Sequence, residues 1–569
     1  MHKPLKPILL LLSSALLFTA CASLEPLRSD IQRVSLSGGY ADYLSQPDFS
    51  EQLTHVTALE ARIIALSSDE PLAMGALGSA LVEIQPASLA GHYALTRFYQ
   101  HVDASQAANR HEQFFQQLQN QILASGDGSA ARPYQVLSKA DAELLIRGQA
   151  RSLVGGIYQN SETMPLQLLL LSRSTNTSPV TADYFDLSKL IPAVSGQDIG
   201  PASSGNPWDI LRILADKEDS AARAAIGTYL AKQRRYESAI GWLQLASRED
   251  NLLAHTLLAR IFWYQSGLAD REPAGEQKLK TAKTAEELIQ LAVDNHVKAI
   301  ALGSTESMYT LGRLLLEDSN MPVIDNDSSP TLNPQTKKDR AVDLLEQAGG
   351  LGHAESLLYL ASQYQRGILL PANEDRANRL FAEAANLRNP KAVISYARYI
   401  AASPERRPET QLRPLLQELA DAGSPEAMVV LGNLYAKGID VKQSSRRAVR
   451  WYKKAVTQVQ ASHHVDAAVI NEVAWNLAVS DQKALLKPSY AQSIMDTMMR
   501  NNKQVQNHPE YLDTWAATYA ANGNFVKAIE LQKRALHYAR IQERTDVIAI
   551  LQTHLESFEA GAHITDRTP

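Results

Sequence analysis

Between Leu302 and Val456 the chain repeats one arrangement of apolar, small and polar positions. Leu302-Gly303-Ser304 leads to Leu311-Gly312, Leu351-Gly352-His353 to Leu360-Ala361, and Ala422-Gly423-Ser424 to Leu431-Gly432; a weaker copy runs from Leu387-Arg388-Asn389 to Tyr396-Ala397. In all four, nine residues separate the turn position (Gly303, Gly352, Arg388, Gly423) from the small residue (Gly312, Ala361, Ala397, Gly432). Successive turn positions step by 49, 36 and 35 residues, and the long step holds a polar insertion from Asp318 to Lys337. A period in this range predicts helix pairs stacked as a solenoid. The second helix of a pair shows as small residues seven apart with aromatics between them: Ala377, Phe381 and Ala384, then Ala448, Trp451 and Ala455. Alanine lets two helices approach closely, and the aromatic fills the groove beside it.

The repeat chemistry extends outward. Gly227, Ala239 and Ala246 have spacings of 12 and 7, with Tyr236 between them, and Ala516, Ala528 and Ala535 repeat those spacings near the end of the chain. About seven helix pairs are expected over residues 208–558, followed by a short tail at 559–569. Upstream the pattern differs. From Phe49 to about Leu123 apolar residues recur at three- and four-residue steps, as in Leu53, Val56, Leu59 and Ile63. Short apolar runs follow at Tyr134–Leu137, Leu153–Tyr158, Leu166–Leu171 and Tyr184–Leu190, with a helix near Asp141–Ile146 capped by Ser138. Residues 49–193 therefore read as a separate, smaller α+β domain. Residues 194–207, rich in Gly, Ser and Pro, read as a linker. The expected fold class is mainly α.

The repeated residues resemble the Sel1-like subclass of the tetratricopeptide repeat. The best register is Ala422 to Val456, where Leu431-Gly432, Tyr435, Gly438, Ala448, Trp451-Tyr452 and Ala455 all align with that pattern. The resemblance implies an α-solenoid that binds other proteins.

The first residues change the picture of where the chain works. Lys3 and Lys6 precede an apolar run from Ile8 to Phe18, which is too short to span a bilayer, and Leu17-Phe18-Thr19-Ala20-Cys21 closes it. This resembles a bacterial lipoprotein signal over residues 1–20 with Cys21 as the lipidated residue, although Phe18 departs from the usual leucine. Lipid chains on Cys21 would hold the chain at a membrane. Ala22 is not the aspartate of inner-membrane retention, so the resemblance implies the periplasmic face of the outer membrane. Residues 21–48 are expected to form a tether. Charged residues make up 21% of the chain and the net charge is −5, which provides no electrostatic footprint for nucleic acid. A single cysteine excludes an internal disulfide framework and a cysteine-rich zinc site.

Candidate chemistry is sparse. His92, His101 and His111 invite an enzyme reading, but His92 and His101 are nine apart and fall on opposite faces of one helix. Gly126-Asp127-Gly128-Ser129 reads as a turn, because the oxygen ligands a calcium ion needs do not continue beyond it. His463-His464 reads as an exposed loop pair. Glu306, Glu355 and Glu426 fall in first turns of first helices, where a carboxylate complements the helix dipole. No cofactor or metal site is expected.

What the array offers is surface. Positions one turn apart on first helices, Tyr309 and Arg313, Leu358 and Ser362, Val429 and Asn433, are expected on its inner curve as partner-binding residues. The resulting expectation is a lipid-anchored scaffold for partner proteins, and its arrangement resembles the scaffold lipoproteins of alginate-type exopolysaccharide secretion. The alternatives are a cell-wall or glycan-active enzyme with a catalytic N-terminal domain and repeats for targeting, or a regulator that senses envelope state.

Overall fold

The computed structural model describes residues 36–66, 70–160, 164–195, 207–269, 279, 283–318, 334–403, 405–462, 466–503 and 505–565. Cys21, most of the 194–207 linker, most of the Asp318–Lys337 insertion and His463-His464 lie outside them. The chain forms two compact units, Met1–Gln347 and Ala348–Pro569.

The first unit begins with five helices, α1 (Leu36–Leu44), α2 (Phe49–Ala65), α3 (Pro71–Ile84), α4 (Leu89–His101) and α5 (Ser105–Ala124). A mixed segment follows: β1 (Tyr134–Gln135), α6 (Lys139–Gly148), β2 (Ser152–Gln159), β3 (Gln167–Arg173), β4 (Thr181–Asp186) and the short α7 (Leu190–Ser195). The strands form one sheet in the order β1-β4-β3-β2, with β1 parallel to β4 and the other pairs antiparallel. Ser138 caps α6, accepting from the Asp141 N–H at 3.2 Å. The strands of the small sheet and the capped helix thus stand where the short apolar runs and Ser138 placed them, although β4 starts three residues before Tyr184.

Two expectations about the edges of this region need correction. The supposed tether is folded from Leu36 onward. Gly38-Gly39 reads as a breaker, but Leu36, Tyr40 and Tyr43 recur at helical spacing and all three are buried, so burial of that face outweighs the poor propensity of glycine. The second correction concerns the reading of residues 49–193 as a separate domain. One hydrophobic core takes in Val56, Leu145, Leu168 and Phe185 together with Ile210, Leu214 and Ala222, from both sides of residues 194–207. The sheet is also tied directly to the first repeats, because Asn251 Nδ2 donates to the Gly156 carbonyl in β2 at 2.8 Å.

Beyond that stretch come α8 (Trp208–Asp216), α9 (Ser220–Lys232), α10 (Tyr236–Ser247), α11 (Leu252–Ala269), α12 (Ala285–Ala301), α13 (Thr305–Glu317) and α14 (Pro334–Gly350). Here α9 packs on α10, α11 on α12, and α13 on α14. The second unit holds α15 (Ala354–Arg366), α16 (Glu374–Asn386), α17 (Pro390–Ala401), α18 (Leu412–Asp421), α19 (Pro425–Lys437), α20 (Ser445–Ala461), α21 (Ala467–Ala478), α22 (Pro488–Asn501), α23 (Pro509–Ala521), α24 (Phe525–Ile541) and α25 (Thr545–Glu559). Consecutive helices pair from α15/α16 to α23/α24, and each first helix also touches the first helix of the next pair. The described residues therefore hold eight helix pairs, one more than the sequence count, and α25 closes the second unit.

Candidate functional site

The repeat corners explain why this sequence folds into regular pairs. Gly303, Gly352 and Gly423 adopt φ of 97°, 95° and 94°, a region closed to most side chains. There the chain reverses between helices. The next residue in each copy bonds back through its N–H to the preceding helix: Ser304 to Ala299 O at 2.9 Å, His353 to Ala348 O at 3.0 Å and Ser424 to Leu419 O at 3.0 Å. The same residues then cap the new helix with their side chains, accepting from the N–H groups of Ser307, Ser356 and Ala427. Arg388 takes the equivalent place with φ 58°, and Asn389 caps α17. Glu306, Glu355 and Glu426 stand in the first turns that follow.

The six residues expected on the partner-binding face fare unequally. Tyr309 and Arg313 are half-buried one turn apart on α13, with the guanidinium 5.9 Å from the ring centroid and Arg313 Nε 3.6 Å from Glu317 Oε2. Leu358 and Ser362 are half-buried on α15, and the Ser362 hydroxyl donates to Tyr359 O at 2.7 Å. Val429 is a correction: its exposure is 0%, so it presents no surface. The reason is that α19 is packed against α17, α18, α20 and α21 together, which covers more of its circumference than one helix pair would.

Asn433 sits at the centre of a polar ladder. Its Oδ1 accepts from Tyr452 Oη at 2.8 Å and Asn476 Nδ2 at 3.1 Å, while its Nδ2 donates to Glu472 Oε1 at 3.0 Å. Arg398 Nη2 donates to the other oxygen of Glu472 at 2.7 Å. The ladder joins α17, α19, α20 and α21, with Arg398 still half exposed at its end. Sequence reading missed Arg398, Glu472 and Asn476. One signal was available for the first: the position after the small residue, which gives Arg313, Ser362 and Asn433, gives Arg398 in the degenerate copy.

The candidate histidines divide. His92 and His111 come together, Nδ1 to Nδ1 at 3.0 Å, while His92 Nε2 meets the Pro86 carbonyl at 3.0 Å. Burial holds both imidazoles down at about 4, so the pair is neutral near pH 7. His101 is exposed and does not join them. Asp127 is exposed in a turn, accepting from the Ser129 N–H at 3.0 Å. Among the described residues no cluster of three or more His, Cys, Asp or Glu side chains could hold a metal.

A cavity of about 430 Å³ in the first unit involves none of these residues. Leu53, Ile64, Leu137, Leu170, Leu190 and Leu214 form its apolar wall, and Glu60, Ser138, Lys139, Glu143, Tyr158 and Asp219 converge on its polar side. Lys139 Nζ lies 3.2 Å from Glu143 and 3.5 Å from Asp219, and Tyr158 Oη donates to Asp219 Oδ2 at 3.0 Å. Burial, then the nearby charge of Asp141, pushes the Glu60 carboxyl well above the usual carboxylate range. Burial pushes Asp141 up to about 7, against hydrogen bonds from the Ala90 and Leu89 amides and the Ser88 hydroxyl. Sequence reading found no carboxylate pair here because α2 and α6 are far apart in the chain.

These features define a helix-pair repeat protein with an appended sheet. Residues 354–389 and 425–458 match the family described as Sel1 repeat, so the chain carries Sel1 repeats. The matches cover α15 with α16 and α19 with most of α20. Among solved structures, a Sel1 repeat protein from Oxalobacter formigenes is 18% identical with a TM-score of 0.32, over 49% of this chain and all of its own. The uropathogenic Escherichia coli protective antigen c5321, which displays an SLR fold, is 14% identical with a TM-score of 0.30, over 88% of this chain and 97% of its own. Yeast Tom70 is 12% identical with a TM-score of 0.30, over 90% of this chain and 88% of its own. Likeness at this level carries no functional argument. No curated protein matches the chain. Repeats of this type expose extended side-chain surfaces and act as protein-binding scaffolds.

Proposed function

We propose that the protein is a lipid-anchored scaffold of the bacterial envelope that docks a partner protein on the first helices of its repeats. The observation that carries the docking is the left-handed corner that recurs at Gly352, Arg388 and Gly423, with the first helices α15, α17 and α19 in contact one with the next, which sets their equivalent faces in one series. Leu358, Ser362, Arg398 and Asn433 lie on that series, and Tyr309 and Arg313 stand at the matching positions of α13 in the first unit. A mixture of aliphatic, arginine and amide groups suits a protein surface. The Cys21 pattern supports attachment by lipid at the periplasmic face of the outer membrane, as in the exopolysaccharide-secretion lipoproteins that the arrangement resembles. Among the described residues, no helix is long and apolar enough to cross a membrane.

Affinity capture from detergent-solubilised envelopes tests the docking. A stoichiometric partner is expected with the wild-type chain, and Leu358→Asp with Arg398→Glu should release it. A chain that always elutes alone would remove the scaffold reading. The anchor is tested separately by feeding cells an alkyne fatty acid: label should enter the wild type and not Cys21→Ser, and an unlabelled wild type argues against lipidation.

A further inference from the structure

Positive charge gathers on one helix of the second unit. In a chain of net charge −5, α20 carries Arg446, Arg447, Arg450, Lys453 and Lys454 and no acidic residue. All five are exposed, and among the described residues none of them forms an ion pair. The corresponding helix α16 differs: Glu374, Asp375 and Glu383 accompany Arg376 and Arg379, and Glu374 pairs with Arg406 at 2.9 Å. Ring faces hold three of the α20 cations, Arg447 over Tyr435, Lys453 over Tyr490 and Lys454 over Trp451, at 5.5, 5.0 and 4.5 Å. A ring orients a cation without cancelling its charge. Arg446, Arg450 and Lys454 follow one another at four-residue steps, where like charges repel, so an anion laid along them relieves a cost already present.

The same helix borders a groove of about 700 Å³. Arg446, Arg450, Lys453 and Lys454 form one side, and Gly423 and Met428, at the corner before α19 and in its first turn, form the other. Asp421, the carboxylate on the lining, already accepts from Gln417 Nε2 at 2.9 Å. None of the first-helix docking residues lines the groove, so it stands independently of that face. Spacing narrows the occupant. From Arg446 to Gln458 the helix rises about 18 Å, the length of roughly five extended residues. Alternate side chains of an extended chain project to one side about 7 Å apart, close to the rise of about 6 Å between cations four residues apart. A flat lipid surface can meet the exposed cations but not the apolar lining at Met428. We propose that the groove takes an extended acidic segment of a partner protein, with alternate carboxylates on Arg446, Arg450 and Lys454 and the intervening side chains toward Met428.

Fluorescence anisotropy on the full chain tests this, with a labelled peptide of alternating glutamate and valine as the probe. Binding should be saturable and should weaken as salt is added. The same peptide with glutamine for glutamate should not bind, and one with its glutamates in a single block should bind more weakly. Arg446→Glu with Arg450→Glu should weaken the alternating peptide by at least about tenfold. Both positions are exposed, and a carboxylate in the first turn of α20 suits the helix dipole, so thermal melting should show the fold intact. Lys483→Glu with Lys503→Glu makes the same change in net charge at exposed positions that do not line the groove, and should leave binding unchanged. Equal weakening by the two double variants, equal binding of the glutamine or block peptide, or no saturable binding would each overturn the assignment. So would phosphatidylglycerol vesicles held through Arg446 and Arg450 while the peptide is not.

Discussion

Gly432 of α19 lies directly beneath the ring of Tyr452 on α20, and Tyr452 Oη donates to Asn433 Oδ1, the neighbour of that glycine, at 2.8 Å. A β-carbon at Gly432 would run into the ring itself. Small residue, aromatic and amide therefore form one fitted unit inside a repeat. Gly432→Ala should destabilise by about 1–3 kcal/mol through overpacking. Tyr452→Phe should remove about 1 kcal/mol for the lost hydrogen bond. Because a displaced ring can no longer reach Asn433, the double variant should lose less than the sum in urea melts. Strict additivity would show that the contacts are independent.

Arg388 makes the opposite case. It occupies the corner position that Gly303, Gly352 and Gly423 occupy in the other copies and is also left-handed, at φ 58°, yet it carries a side chain there. Its ion pair with Glu418 is exposed on both sides and compensates weakly. Arg388→Gly should gain about 0.5–1 kcal/mol by relieving the left-handed strain. Arg388→Ala, which keeps the strain and loses the pair, should gain nothing in the same melt.

The contrast between these corners shows what the sequence could reveal. Gly303, Gly352 and Gly423 were legible because a positive φ selects glycine locally, and the nine-residue spacing to the small position reports one helix face. The strands were legible as short apolar runs between polar or Gly/Pro clusters. Val429 was not, because its burial depends on how neighbouring pairs stack around α19. Nor was Glu60, whose meeting with Asp141 is made by tertiary packing alone. The helix at Leu36–Leu44 was masked by its own Gly38-Gly39, since propensity was read where burial decided.

Asp141 makes part of the stability fall with pH. Its folded carboxyl titrates at about 7, whereas an unfolded aspartate titrates near 4, so between these values the folded chain holds a proton the unfolded chain has lost. The contribution is fully present below about pH 4 and is lost as pH rises through about 7. Tyr40 and Tyr43 on α1 and Glu60 on α2 interact electrostatically with it, and Glu60 shifts in the same direction. Asp141→Asn stays neutral and can still accept from the Ala90 amide. Its stability relative to wild type should therefore be higher at about pH 8 than at about pH 5. Parallel pH profiles for the two proteins would contradict the raised value.

The paired histidines act with the opposite sign. His92, His111 and His296 titrate at about 4 when folded, so the unfolded chain takes up protons first as pH falls below about 6.5. Their contribution is present above about pH 6.5 and is lost as pH falls toward about 4. A His92→Phe/His111→Phe variant should flatten most of that acid loss, leaving the share of His296. Urea melts across the acid range measure the slope, and an unchanged slope would place the acid sensitivity elsewhere.

The end of the chain is held by a buried polar knot. Asp513 Oδ1 on α23 receives Gln532 Nε2 of α24 at 2.7 Å and His554 Nδ1 of α25 at 2.8 Å, and the same Gln532 nitrogen reaches Leu551 O at 3.0 Å. Asp513, Gln532 and His554 are all buried, so a lost donor is not replaced by solvent. His554→Phe should destabilise by about 2–4 kcal/mol, because a buried carboxylate loses one of its two donors. Adding Asp513→Leu removes the stranded charge along with its need, so the double variant should recover part of that loss. Hydrogen exchange of the α23–α25 amides should accelerate in His554→Phe before it does in α15 or α16, since repeat units open from their ends. A double variant at least as unstable as the sum of the two single variants would mean that packing around Trp475 and His554, whose rings lie 5.8 Å apart, holds this end instead of the hydrogen bonds.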